Sequence, residues 1–153
     1  MRARPVEGLD PERPLRANSA RIVATRLDEL RGLAEDALDP LAAAAQHDMR
    51  IAAKRLRYVL EITESCFGDE AEAARRVAGD LQTVLGDIHD CDVMLPRVEE
   101  IPSLTALLRA RREQRFRDFH DLWQAAASRG TWAALEHSLW PTAWRHGEGP
   151  AVR

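Results

Sequence analysis

The chain has 153 residues, 45% of them hydrophobic and 31% charged, with a formal net charge of −3. This balance fits one soluble globular domain and excludes disordered, fibrous and membrane chains. No apolar run approaches the roughly 18 residues of a membrane-spanning helix, and Met1-Arg2-Ala3-Arg4-Pro5 lacks the apolar stretch of a signal peptide, so a cytoplasmic protein is expected.

Residues 1–17 carry Pro5, Pro11 and Pro14 among charges and read as an irregular leader. Asn18 or Ser19 stands where an N-cap belongs, and Ile22, Val23, Leu27, Leu30, Leu33, Ala34, Ala37 and Leu38 recur at helical spacing up to the Asp39-Pro40 break. A second helix is predicted from about Leu41 to Cys66, stopped by Phe67-Gly68-Asp69, and a third from Glu70 to about Leu95, stopped by Pro96. A fourth runs from Leu104 to about Ala127, Arg129-Gly130 breaks it, and a short fifth covers Thr131 to Leu139. No stretch alternates like a strand. The expected fold is all-α, an antiparallel bundle of about four long helices plus the short one. The domain is placed at residues 18–140 and a loose tail at 141–153. Cys66 and Cys91 read as small reduced core residues, not a disulfide framework.

The charge sum hides a segregation. On the second helix Ala52, Ala53, Leu56, Val59 and Leu60 form the core stripe, while His47, Arg50, Lys54, Arg57 and Tyr58 gather on the opposite face. From His47 to Leu60 four basic residues stand against Asp48 alone. A solvated helix face usually mixes signs, whereas Arg50 and Lys54 are a like-charged i,i+4 pair, which repels. An anion-binding face and a solvated face both stay open on the helix alone. The fourth helix adds Arg109, Arg111, Arg112, Arg115 and Arg117 against Glu113, with Arg112 inside the apolar stripe of Leu108, Phe116, Phe119, Leu122 and Trp123. An inward arginine needs a partner or a wet groove. The alternatives are an internal salt bridge to Asp90 or Asp92 and a basic groove shared with the second helix. Arg26 is a second candidate inward arginine. On the third helix His89 and Gln82 lie beside the core stripe with Gly86 between them, and a mid-helix glycine, about 1 kcal/mol worse than alanine, suggests a close approach there.

His47-Asp48 and His89-Asp90 also invite a metal-dependent phosphohydrolase reading, but Asp90 and Asp92 point about 200° apart on a helix and do not converge on one ion. No phosphate loop, nucleophile elbow or zinc-spaced Cys/His set is present. Trp123, Trp132, Trp140 and Trp144 read as packing for the C-terminal segment rather than as a base-stacking set, which counts against nucleic acid on the basic face.

The run His47-Asp48-Met49-Arg50-Ile51-Ala52-Ala53-Lys54-Arg55-Leu56-Arg57-Tyr58-Val59-Leu60-Glu61, followed by Leu81-Gln82-x-x-Leu85-Gly86-x-x-His89-Asp90-x-Asp92-Val93, resembles the CHAD family, the conserved histidine α-helical domains. The likeness extends over roughly residues 15 to 127. It implies a helical bundle whose histidines and basic side chains line a groove that binds inorganic polyphosphate without catalysis, metal or cofactor. By position, His47, Arg50, Lys54 and Arg57 match the basic motif, His89 the basic position ahead of the aspartate, and Arg109, Arg112 and Arg115 the basic residues of the following helix. The resemblance also implies association with polyphosphate granules. Because the family commonly has two such repeats and this sequence has one, a homodimer completing the groove is expected. The alternatives are a phosphohydrolase or accessory module of a triphosphate-processing enzyme, and nucleic-acid binding through the same face.

Overall fold

The structure is a computed structural model describing residues 1–140, and the expected loose tail at 141–153, with Trp144, lies outside the described residues. Those described residues form an all-α bundle: α1 (Leu15–Gly32), α2 (Ala34–Ala37), α3 (Ala43–Ile62), α4 (Glu64–Phe67), α5 (Asp69–Met94), a 3-10 turn (Leu95–Arg97), α6 (Pro102–Ser128) and α7 (Thr131–Leu139). No helix among them is long and apolar enough to cross a membrane.

The helix boundaries differ from the sequence expectation in ways that have local causes. Asn18 does not cap α1. Its side chain is occupied by the leader, donating to the Asp10 carbonyl at 2.8 Å and accepting from the Asp10 N–H at 3.0 Å, and the helix begins earlier, after Pro14. The stretch up to Leu38 is two helices, interrupted after Gly32 at Leu33. Glycine is the weakest non-proline helix former, so the break falls where the helix is least favoured. The second predicted helix ends at Ile62, where the Thr63 N–H and hydroxyl both donate to the Val59 carbonyl, and the chain restarts as α4. Gly68 then turns the chain with φ 69° and ψ −150°, a region open essentially to glycine alone. Asp69, Glu70 and Glu72 crowd the first turn of α5, where negative charge complements the helix dipole.

α5 is the central element, packing against α3, α6 and α7, while α1 packs on α3 and α7. The core draws Val23, Leu27 and Leu30 from α1, Met49, Leu56 and Leu60 from α3, and Leu81, Leu85 and Ile88 from α5. Ala52 and Ala53 on α3 and Ala74 and Ala78 on α5 are also fully buried, and such small side chains let these two helices approach closely. Cys91 is buried and Cys66 half-buried; both are free thiols, and burial pushes the Cys91 thiol above its ordinary range. Trp123 and Trp132 pack together, ring centroids 5.8 Å apart, where α6 turns into α7.

α6 is anchored differently from the rest. Of its side chains only Phe119 and Ala126 are fully buried, and Leu104 and Leu107 near its start are exposed. Phe119→Ala should therefore cost about 3 kcal/mol, the usual range for emptying a buried aromatic site, and loosen α6 first. Hydrogen exchange is the check: protection should fall in α6 well before it falls in α3 and α5.

Candidate functional site

α3 and α5 run antiparallel, and the basic face of α3 lies along one flank of α5 in a fixed register. The His47 and His89 rings sit 4.4 Å apart, centroid to centroid, tilted by 38°. One turn along, a Cβ placed on Gly86 would lie 3.3 Å from Arg50 Nε. At the far end a Cβ on Gly79 would lie 3.4 Å from Arg57 Cδ, and Arg57 Nε donates to Gln82 Oε1 at 3.0 Å. Residues 47, 50 and 57 along α3 thus meet 89, 86 and 79 in reverse order along α5, with Lys54 at the intervening turn. The close approach expected at Gly86 is that of an arginine side chain to the helix backbone. A Cβ at Gly86 would crowd Arg50 by a few tenths of an ångström, whereas one at Gly79 would sit at the edge of ordinary contact with Arg57.

The cations of this row are short of partners. Arg50 and Lys54 make no ion pair among the described residues; Lys54 is exposed and lies 5.8 Å from the Tyr58 ring centroid. Arg57 stacks on the same ring at 4.3 Å and pairs with Glu61 at 3.2 Å. Arg50 Nε and His47 Nδ1 are buried without a protein partner. An unsatisfied buried donor is rare in folded proteins and costly, so Arg50 Nε marks a place suited to an external acceptor, while His47 Nδ1 beside it is donor or acceptor according to tautomer. Burial lowers the proton affinity of His47 below the ordinary value of about 6.5, and the neighbouring His89 and Arg50 lower it further against the opposing pull of Asp48.

α6 is tied to α5 through carboxylates. Arg115 pairs with Asp87 at 3.0 Å and Asp118 at 3.0 Å, and Arg111 approaches Asp87 at 3.8 Å. Arg112 makes four internal hydrogen bonds: Nε to Asp92 Oδ1 at 2.5 Å, Nη2 to Asp92 Oδ2 at 3.3 Å and to Gln46 Oε1 at 2.9 Å, and Nη1 to the Pro40 carbonyl at 2.9 Å. Gln46, almost completely buried, in turn donates to the Asp39 carbonyl at 2.7 Å. The geometry therefore contains the internal ion pair, with Asp92 and not Asp90 as partner, while Arg112 also lines a cavity with Ala43 at the start of α3. The second inward arginine resolves the same way, with Arg26 paired to Glu29 at 2.6 Å. Arg109 is exposed and lines, with Arg112, Ala43 and Asp92, a cavity of about 420 Å3, and makes no ion pair among the described residues.

Of the eight candidate residues, then, the structure aligns His47, Arg50, Lys54, Arg57 and His89 along α3 and α5, while on α6 Arg112 and Arg115 are held by Asp92 and Asp87 and Arg109 is exposed. Sequence reasoning misses one basic residue of the row. Arg75 continues the α5 stripe of 79, 82, 86 and 89 one turn further, and that spacing is present in the sequence. Among the described residues no group of three or more His, Cys, Asp or Glu side chains is placed to hold a metal ion.

Residues 2–99 match the family profile of the CHAD domain. The chain belongs to the CHAD family. No curated protein and no solved structure matches it. CHAD domains are associated with polyphosphate- and triphosphate-related proteins. The matched segment contains the whole α3–α5 row and stops short of α6, so the aligned cations all belong to the family's part of the chain.

The depressed proton affinity of His47 has a stability consequence of fixed sign. Below pH 6.5 the unfolded chain takes up this proton more readily than the folded one, so the ligand-free protein loses stability as the pH falls through that value toward the folded-state pKa. His47→Gln should flatten the decline between about pH 7 and pH 5 in urea unfolding curves, whereas wild-type slopes in the variant would show that His47 is not the group involved.

Proposed function

We propose that this chain is a non-catalytic binding module for inorganic polyphosphate, held along the α3–α5 row by His47, Arg50, Lys54, Arg57 and His89. The observation that carries this reading is the line of same-sign side chains with unpartnered donors, rigidly spaced by two packed helices. A linear polyanion bears about one charge per phosphate and is best met by cations at regular intervals. Arginine bridges phosphate oxygens in a fork, while lysine and protonated histidine act as point charges. Phosphates beside the imidazoles favour their charged forms, so binding takes up protons. Affinity then rises as the pH falls, most steeply where the ligand-free His47 is still neutral. In this reading Arg112 holds α6 in place, and Arg109 and Arg115 stand at the outer edge on the α6 side.

The deciding measurement is titration of long-chain polyphosphate into wild type and the Arg50→Glu/Lys54→Glu double variant, with circular dichroism confirming the fold. The variant should bind at least about tenfold more weakly, and wild-type binding should fall log-linearly with salt as counterions are released. Equal affinity in the two proteins rules the reading out. Phosphate release in the same samples with added Mg²⁺ would overturn its non-catalytic part. Displacement of polyphosphate by single-stranded nucleic acid at matched charge would favour a general polyanion site instead.

The same reading assigns a second copy of the chain as the partner that lengthens the track. Sedimentation should show a dimer in the presence of long-chain polyphosphate. A monomer that binds long chains just as tightly excludes the pairing.

A further inference from the structure

Beyond the row itself, the cavity at its Arg57 end has a distinct composition. It is about 480 Å3, a size ordinary for small-ligand sites, and its lining of Arg57, Arg75, Arg76, Gly79, Gln82 and Thr83 includes one acid, Asp80. Arg75 makes no hydrogen bond or ion pair among the described residues, and its Nε is buried without a protein partner. Arg57 and Arg76 are held, but by glutamates of their own helices: Glu61, more than half exposed, and Glu72. Surface pairs of this kind are weak and readily exchange a carboxylate for another anion. Gln82 accepts from Arg57 through its carbonyl oxygen, which leaves its amide N–H groups to donate.

A run of acids closes the track at this end. From Glu61 to Glu72 there are five acids and no base, spanning the end of α3, all of α4 and the first turn of α5. A linear polyanion lying on the cations cannot continue past this negative boundary without repulsion. At the boundary sit three arginines, one of them uncommitted. The terminal group of a polyphosphate differs chemically from the internal ones in carrying a second ionisable oxygen, and so calls for more donors than one arginine supplies.

We infer that the cavity formed by Arg57, Arg75 and Arg76 is a subsite for the terminal phosphoryl group of a linear polyphosphate, with Arg75 as its principal ligand. The inference rests on the polyphosphate reading for the ligand class, yet the subsite is tested separately. Short linear chains present mostly ends, and a cyclic phosphate presents none. Glu72 competes with the ligand for Arg76, so its removal strengthens binding.

The experiment titrates tripolyphosphate and the cyclic trimetaphosphate into wild type, Arg75→Gln, Glu72→Gln and Arg117→Gln, the last an exposed arginine on α6 that controls for loss of charge alone. Tripolyphosphate should bind about tenfold more weakly to Arg75→Gln, about twofold or more tightly to Glu72→Gln, and unchanged to Arg117→Gln. Trimetaphosphate should bind wild type at least about tenfold more weakly than the linear trimer and be insensitive to Arg75. Equal binding of the linear and cyclic trimers, undetectable binding of tripolyphosphate to wild type, or indifference to Arg75→Gln overturns the subsite. If long-chain binding still depends on Arg50 and Lys54 in that event, the polyphosphate reading survives without it. Conversely, Arg75-dependent binding of tripolyphosphate in a protein that ignores long chains would retain the subsite and remove the reading.

Discussion

The antiparallel pairing of α3 with α5 fixes nearly everything else in this bundle. One side of the pair is an apolar seam of leucines and alanines that forms the core, and the adjoining side carries the cations. Because both sides belong to the same two helices, the register that packs Leu56 and Leu81 into the core also sets His47 against His89 and Arg50 against Gly86. A slip of one turn would break the core and scatter the charged row together. Core packing of this kind is worth several kcal/mol per large side chain, far more than like charges on a helix surface cost each other, so the repulsion is tolerated.

Acids in this protein do three separate jobs. Asp87 and Asp92 fasten α6 to α5 by pairing with Arg115 and Arg112, Glu29 satisfies Arg26 in a nearly dry position, and the run from Glu61 to Glu72 closes one end of the bundle in negative charge. Among the described residues no carboxylate pairs with Arg50 or Lys54. A net charge of −3 thus sums pairs that hold the fold together with a row in which Arg57 has a glutamate partner and Arg50 and Lys54 have no ion pair among the described residues.

Most helices are legible because their apolar residues recur at helical spacing and glycine or proline marks the ends. The start of α1 is not, since Asn18 looks like a cap in sequence and only the folded leader shows that Asp10 has already claimed its amide. The basic face of α3 can be read from the helical wheel, and so can Arg75, which shares the spacing of Gly79, Gln82, Gly86 and His89. The partner of Arg112 cannot. Choosing between Asp90 and Asp92 needs the position of α6 across α5, and Gln46 and the Pro40 carbonyl join the cluster from segments far away in sequence. Local patterns reveal which side of a helix is charged, while the crossing of two helices decides which charges are already satisfied.

Gly79 and Gly86 act on entropy as well as on distance. With no side chain beneath them, the stems of Arg57 and Arg50 lie against the α5 backbone, and few rotamers remain open to residues that would sweep freely on an exposed helix. Long flexible side chains ordinarily lose roughly 0.5–1.5 kcal/mol each when a ligand immobilises them. Here much of that ordering is completed when the bundle folds. The spacing of the row is therefore set by the turns of two packed α-helices rather than by the reach of its arginines.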